Sequence, residues 1–186
     1  MSIAKREQEK LLGVQLWVWE GASYIVTVLG VLAGLFAVYQ YYDATEAQRS
    51  KETLAMIEIW ETRAYAEAFD RLRERVIEFS ASIPEAELAL ARKNVQAAEN
   101  LRHSMYDHVL SGIGGQTDLD KVVYFFNRLG LCVKASLCSF KTSYIFFKDP
   151  LEGFMSNFAS FIKAKQIQLP GYANGLILLE EEFSKN

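Results

Sequence analysis

Cysteine, proline and net charge are all scarce in this sequence of 186 residues, which has two cysteines, three prolines and a formal net charge of −3. Two cysteines exclude a small domain held together by several disulfides. The mild acidity argues against a nucleic-acid footprint spread over the whole chain. The apolar fraction of 51% is too high for intrinsic disorder. What is left is one modest domain that is helical, associated with a membrane, or both.

Charged side chains are absent from the 21 residues between Ala22 and Tyr42. As a helix rising 1.5 Å per residue, this run would cover about 31 Å, the thickness of the bilayer core. Rings that favour the headgroup level stand at its two ends: Trp17, Trp19, Tyr24, Tyr39, Tyr41 and Tyr42. We therefore predict one transmembrane helix over residues 17–43. The alternative is a buried helix of a soluble protein.

The segments around this run are interpreted as a lead-in and an uncleaved anchor. The run ends in tyrosines and Asp43 instead of a small-x-small cleavage site, which argues against a signal peptide. Residues 1–16 mix charged and apolar side chains, a pattern that fits either an amphipathic helix at the interface or a solvated lead-in. Within the run, small residues recur at helical spacing at Gly30, Ala33, Gly34 and Ala37. Such a face lets a second helix approach closely, so we expect it to contact other membrane-protein subunits or a second copy of the chain.

The orientation of the anchor rests on few residues. Basic side chains near the predicted span are Lys5, Arg6 and Lys10 before it and Arg49 and Lys51 after it. Three basic residues before the span and two after it are too similar in number to orient the helix. Cys132 and Cys138 lie in an apolar stretch, which favours buried free thiols in a reducing compartment over a bridge. We therefore expect the C-terminal domain to be cytoplasmic.

Residues 44–186 carry no repeat and no linker, and their apolar periodicity predicts an all-α domain. Apolar positions recur every three or four residues from Ala44 to Phe79, which predicts one long helix that continues the anchor. Ser82 and Glu85 flank Pro84 in the pattern of a capped helix start. That second helix should end at the glycines of residues 112–115. We expect a compact bundle of about four to five helices.

The second half of the domain is predicted to hold its central helix. Residues 122–138 are apolar on nearly every side, with Thr117 or Asp118 as the cap before them. Two proline sites, Asp149–Pro150 and Pro170–Gly171, indicate turns or helix starts. A short final helix is expected over residues 174–183.

Candidates for chemistry are few. His103 and His108 are the only histidines, and their spacing does not place both on one helix face, so we predict no metal site, no cofactor and no catalytic residues. The arginines between Arg63 and Arg75 alternate with acidic residues, which indicates salt bridges. Asn127 and Arg128 interrupt the central helix. They are interpreted as an internal or surface polar contact, with a ligand or partner site as the alternative.

Two segments, Trp19–Gly30 and Val123–Leu131, resemble uncharacterised bacterial single-pass membrane proteins with a helical domain after the anchor. The resemblance implies a location in the bacterial inner (plasma) membrane and implies no activity.

Two functions follow as hypotheses. The first is a non-catalytic accessory or scaffolding subunit, anchored in the lipid bilayer and bound to other membrane proteins, with no role for nucleic acid. The second is a membrane-tethered sensor or signalling module whose helical domain binds a small ligand or a soluble partner.

Overall fold

The structure is a computed structural model that describes residues 10, 11 and 14–185, with side-chain surroundings from residue 24 onward. Over these residues the fold is all-α apart from one two-residue strand pair. The helices are α1 (Leu16–Thr62), α2 (Tyr65–Ser82), α3 (Glu85–Ala91), α4 (Val95–Ser111), α5 (Gly115–Lys134), α6 (Phe140–Gln168) and α7 (Asn174–Ser184). The chain divides into two compact units, Met1–Ala47 and Gln48–Asn186. Seven helices in the described part exceed the four to five expected for the bundle, and two unpredicted breaks explain much of the difference.

The lead-in contains a short antiparallel strand pair where an amphipathic helix was one of two expectations. β1 (Lys10–Leu11) pairs with β2 (Val14–Gln15), so Lys10 faces Gln15 and Leu11 faces Val14. Residues 1–9, 12 and 13, and the side chains of Trp17 and Trp19, lie outside the described residues. The helix expectation for the lead-in is therefore wrong at these four positions.

The first unpredicted break follows α1. The helix ends at Thr62, and Ala64 adopts a left-handed conformation with φ 58° before α2 begins. The prediction of one helix from Ala44 to Phe79 is wrong here. Alanine is a strong helix former, so the break is imposed by tertiary packing: it lets the ring of Trp60 pack 5.8 Å from the ring of Phe69 on the next helix.

The second unpredicted break divides the expected helix after Pro84. A helix does begin here, as predicted, but α3 starts at Glu85, which was expected to be its third residue. Ser82 is not its cap, because the Ser82 hydroxyl donates to the carbonyl of Phe79 on the preceding helix. α3 ends after seven residues, and Asn94 caps α4 by accepting hydrogen bonds from the amides of Gln96 and Ala97. An asparagine with this local bonding competes with a continuous helix.

Helix α5 is the centre of the bundle, as its apolar sequence predicted. It packs most extensively against α7 and α2, and its nine buried residues extend from Gly115 to Gly130. Its start is earlier than expected, because Gly114, with φ 80°, precedes a helix that begins at Gly115. Thr117 and Asp118 therefore lie inside the helix, and the prediction that one of them caps it is wrong.

Helix α6 runs through Pro150, where a turn or helix start was predicted. An internal proline removes one helix hydrogen bond and is unfavourable by about 3 kcal/mol. The burial of Phe147, Leu151, Phe154 and Phe158 along one face of the same helix offsets that loss. The predicted break at Pro170–Gly171 and the predicted final helix are both confirmed, since turns over residues 170–173 lead into α7.

An aromatic cluster fills the core of the second unit. The ring of Trp60 lies 4.6 Å from Phe125, 5.5 Å from Phe126 and 5.9 Å from Phe147, measured between centroids. Phe125 and Phe126 are fully buried, as are aliphatic residues from α2, α5, α6 and α7. Rings at these distances contribute beyond their buried area. This core explains why the domain contains so many phenylalanines.

Candidate interaction sites

The small residues of the first unit lie on one face of α1 and are open. Gly30, Ala33, Gly34 and Ala37 are all exposed, and a methyl group built on Gly30 or Gly34 would meet nothing within 4 Å. Their spacing of three and four residues places them together on a helix. The structure thus has room for a second helix along this face.

Large apolar side chains surround this face. Every side chain from residue 24 to residue 44 is exposed, including Phe36 and the tyrosines at both ends. The helix section Tyr24–Thr62 contains an apolar stretch of 18 residues, and none of that stretch is buried. Length and composition therefore qualify this one helix to cross a membrane, although signal sequences and core helices meet the same two criteria.

Asn127 forms a link between two helices. Its side-chain oxygen accepts a hydrogen bond of 2.7 Å from the amide of Gly175, in the first turn of α7. The residue before α7 is Ala173, which has no side-chain acceptor of its own, so Asn127 supplies the cap from α5. Arg128 is exposed beside it. The two residues thus differ, because one is engaged within the fold and the other faces solvent.

Comparison with known protein families, curated proteins and solved structures finds no match for this chain. The chemistry of its own residues therefore carries the functional argument.

A charged contact joins α2 to α5. The guanidinium of Arg71 donates two hydrogen bonds to the carboxylate of Asp118, at 2.9 Å and 2.7 Å, and Asp118 is only 4% exposed. These hydrogen bonds from Arg71 hold the pKa of Asp118 below its usual value, outweighing the opposing effect of burial. Glu67, one turn before Arg71, adds a longer contact of 3.7 Å. The predicted salt bridges of this arginine-rich segment thus include a bridge between helices.

Arg75 has a different role in the same segment. Its guanidinium donates to the carbonyls of Val109 and Ile113, at 3.2 Å and 2.8 Å, near the end of α4. The last carbonyls of a helix have no partners within that helix, and a cation there satisfies both hydrogen bonding and the helix dipole. Arg71 and Arg75 are thus both used to hold α2 in place.

A disulfide joins Cys132, in the last turn of α5, to Cys138, in the turn that leads into α6. The prediction of free thiols is wrong, and the expectation of a cytoplasmic domain loses the observation on which it rested. The chain itself brings the two cysteines together, because the amides of Leu137 and Cys138 both donate to the carbonyl of Cys132. Ser136 adopts a left-handed conformation with φ 57° that closes the turn. A spacing of six residues is compatible with a helix, a strand or a turn, and only the turn brings the sulfurs together.

The same turn is bonded to α1 at a buried polar contact. The amide of Ser139 donates to the hydroxyl of Thr53 at 2.9 Å and to the carbonyl of Arg49 at 3.2 Å. Thr53 and Ser139 are both buried. Ser139 also caps α6, since its hydroxyl accepts from the amide of Thr142. One residue thus starts α6 and attaches the turn to α1.

An apolar groove of about 230 Å³ lies between α2 and α6. Its walls include Phe69, Leu72, Val76, Phe154 and Phe158, and the remaining lining residues are Arg73, Ile77, Gly153 and Asn157. A methyl group built on Gly153 would meet nothing within 4 Å, so the groove is open on that side. The sequence contained no clear signal for the groove, because its walls have the same periodicity as a packed core.

His103 and His108 are exposed on α4, and each is near an aromatic ring, Tyr106 at 6.3 Å and Phe79 at 5.5 Å. Among the described residues there is no group of three or more His, Cys, Asp or Glu side chains placed to hold a metal ion.

Proposed function

We propose that this chain is a single-pass protein of the inner (plasma) membrane that serves as an accessory or scaffolding subunit, binding other membrane proteins or a second copy of itself through α1. The observation that carries the proposal is the continuous exposure of apolar side chains over residues 24–42. Contiguous apolar surface on this scale is not left in water and marks contact with a membrane or a partner.

The small-residue face supports the binding role over simple anchoring. Lipid tails pack equally well against large side chains, so anchoring alone does not require glycines. Gly30 and Gly34 create a shallow groove on α1, and close approach of two backbones is the main benefit of such a groove.

The polar residues of the second unit support a structural role for it. Asp118 is bonded to Arg71, and Asn127 is bonded to the backbone of α7. These side chains hold helices together, which suits a rigid module that presents a surface.

The experiment compares two double variants of the full chain in native-membrane nanodiscs. Gly30→Leu with Gly34→Leu fills the small-residue face, whereas Val28→Leu with Leu35→Phe adds bulk on the opposite face of the same helix. We expect a discrete set of membrane proteins, or a second tagged copy, to copurify with the wild type and the control but not with the glycine variant. Migration of the wild-type chain alone would contradict the proposal, as would equal partner recovery from all three.

The groove between α2 and α6 favours the second function, a membrane-tethered sensor that binds a small apolar ligand. A groove of about 230 Å³ exceeds the engineered cavity of roughly 150 Å³ that binds benzene. Thermal-shift measurements with single-ring aromatics and short aliphatic alcohols test this function, with Gly153→Phe as the variant that fills the groove. Stabilisation of the wild type alone would support a ligand site, and no shift in either protein would contradict it.

A further inference from the structure

We infer that the second unit, residues 48–186, lies on the oxidising side of the membrane, where a protein disulfide donor oxidises Cys132 and Cys138. The inference rests on the proposed membrane anchoring of α1. It reverses the orientation expected from free thiols.

The fold places the two cysteines for oxidation. Cys132 lies in the last turn of α5, and Cys138 directly precedes the cap of α6. Their Cα atoms are 5.2 Å apart, which is within the range that a disulfide spans without backbone movement. The hydrogen bonds from Leu137 and Cys138 to the Cys132 carbonyl fold the chain back at this spacing and involve neither sulfur. The reduced turn would therefore present two adjacent thiols.

The compartment decides whether such a pair stays oxidised. Disulfides persist in extracytoplasmic compartments, whereas cytosolic thiol systems keep thiols reduced. Cys138 is 3% exposed and Cys132 is half-buried, so the folded protein covers one cysteine of the bond fully and the other in part. A bond that links the end of α5 to the start of α6 is typical of a structural disulfide.

The chemistry balances with one co-reactant. One cysteine thiolate attacks the donor's disulfide and forms a mixed disulfide, which the second thiolate then resolves. The two thiols lose two protons and two electrons and gain one S–S bond, and the donor leaves as a dithiol. Because Cys138 is buried in the final fold, we expect this exchange to precede the packing of α6.

The flanking charges are compatible with this orientation. Lys5, Arg6 and Lys10 precede the predicted span, and only Arg49 and Lys51 follow it closely. Basic residues favour the cytoplasmic side, and although an excess of three over two does not orient the helix by itself, its sign agrees with a cytoplasmic N-terminus. The disulfide thus supplies the orientation that the charges left open.

The first test measures thiol state in the full chain in intact bacterial cells. Cells are quenched in acid, free thiols are blocked under denaturing conditions, and a mass-tagged maleimide is added before or after reduction. We expect two tags per chain only after reduction, and no tags in a Cys132→Ser, Cys138→Ser control. Thiols that are free in the cell are consumed by the blocking step, so they take no tags even after reduction. That result would overturn the inference.

The second test measures sidedness. In the cysteine-free background, Ser104→Cys places one reporter at an exposed position of α4, and Ser2→Cys places one at the N-terminus. We expect a membrane-impermeant maleimide to label the first reporter in intact spheroplasts and the second only after lysis. The opposite pattern would overturn the inference. Protease shaving of the wild-type chain repeats the test without substitutions, in case the serine variants fold poorly.

Alkaline carbonate extraction separates this inference from the proposed function. Release of the wild-type chain would overturn the membrane anchoring, and this inference with it. Two results would overturn the orientation alone. One is a chain that resists extraction but has reduced thiols, and the other is a reporter at position 104 that is labelled only after lysis.

Discussion

We expect Gly130→Ala to destabilise the second unit, because Gly130 lies where α5 crosses α7. A methyl group on Gly130 would overlap the carbonyl oxygen of Gly175, far inside the 3.4 Å at which ordinary contact begins. The clash is with backbone, so no side-chain rotation relieves it, and the two helices must move apart. That movement also weakens the hydrogen bond from the Gly175 amide to Asn127.

The magnitude is the balance of three effects. Overpacking costs about 1 to 3 kcal/mol and occasionally more. The weakened hydrogen bond adds about 1 kcal/mol. The higher helix propensity of alanine offsets up to about 1 kcal/mol of this loss, because glycine is a poor helix former. The expected net loss for Gly130→Ala is therefore about 1 to 3 kcal/mol in the free energy of unfolding.

A matched control uses the same substitution where no clash exists. Gly153 lies inside α6, and a methyl group there would meet nothing within 4 Å. We expect Gly153→Ala to stabilise the protein by about 0.5 to 1 kcal/mol through helix propensity alone. The assay is thermal unfolding of the full chain in mild detergent, followed by circular dichroism. We expect the melting temperature of Gly130→Ala to be lower than that of the wild type by about 2 to 12 °C, and that of Gly153→Ala to be slightly higher. Equal melting temperatures for the two variants would refute the close crossing of α5 and α7.

Two further predictions concern polar contacts between helices. Asp118→Asn should cost about 1 to 3 kcal/mol at neutral pH, because the bonds from Arg71 lose their charge. The folded-state pKa of Asp118 is lowered, so its contribution is present above the ordinary carboxyl pKa of about 3.9 and is lost as the pH falls through the lower folded value. Urea titrations should therefore converge for wild type and variant in acid, and a gap that is independent of pH would contradict the assignment. Asn127→Ala should cost about 1 kcal/mol by removing the cap at Gly175, while the exposed Arg128→Ala stays within about 0.5 kcal/mol of wild type. Equal losses from these two variants would contradict the cap.

Local pattern was sufficient to predict the helices that bury a continuous stripe. The central helix and the final helix both have such an apolar stripe. The exposed apolar run of α1 was recognisable in the sequence because it contains no charged residue. The break at Ala64 was not predictable, because alanine favours a helix and the apolar stripe continues through the break. At Pro150 the prediction of a turn or helix start was wrong, because the local cost of a proline inside a helix is offset by the burial of Phe147 and Phe154 on the same helix.

The candidate sites were harder to predict, because they depend on residues distant in sequence. Asp118 acquires its partner from α2, 47 residues earlier, and no local spacing indicates that pair. The Cys132–Cys138 bridge depends on the left-handed Ser136, a conformation that serine rarely adopts. In contrast, Gly30 and Gly34 belong to one helix, so their shared face followed directly from helical geometry.

The cap of α7 has a consequence for the order in which the chain folds. α7 has 11 residues, too few for a stable helix in isolation, and its first turn is completed by Asn127 from α5, 48 residues earlier. α7 therefore folds only on a finished α5, which precedes it in the chain. When α5 is incomplete, Leu176, Leu179 and Phe183 have no helix to pack against and stay exposed, so a chain damaged in α5 also exposes the apolar face of α7.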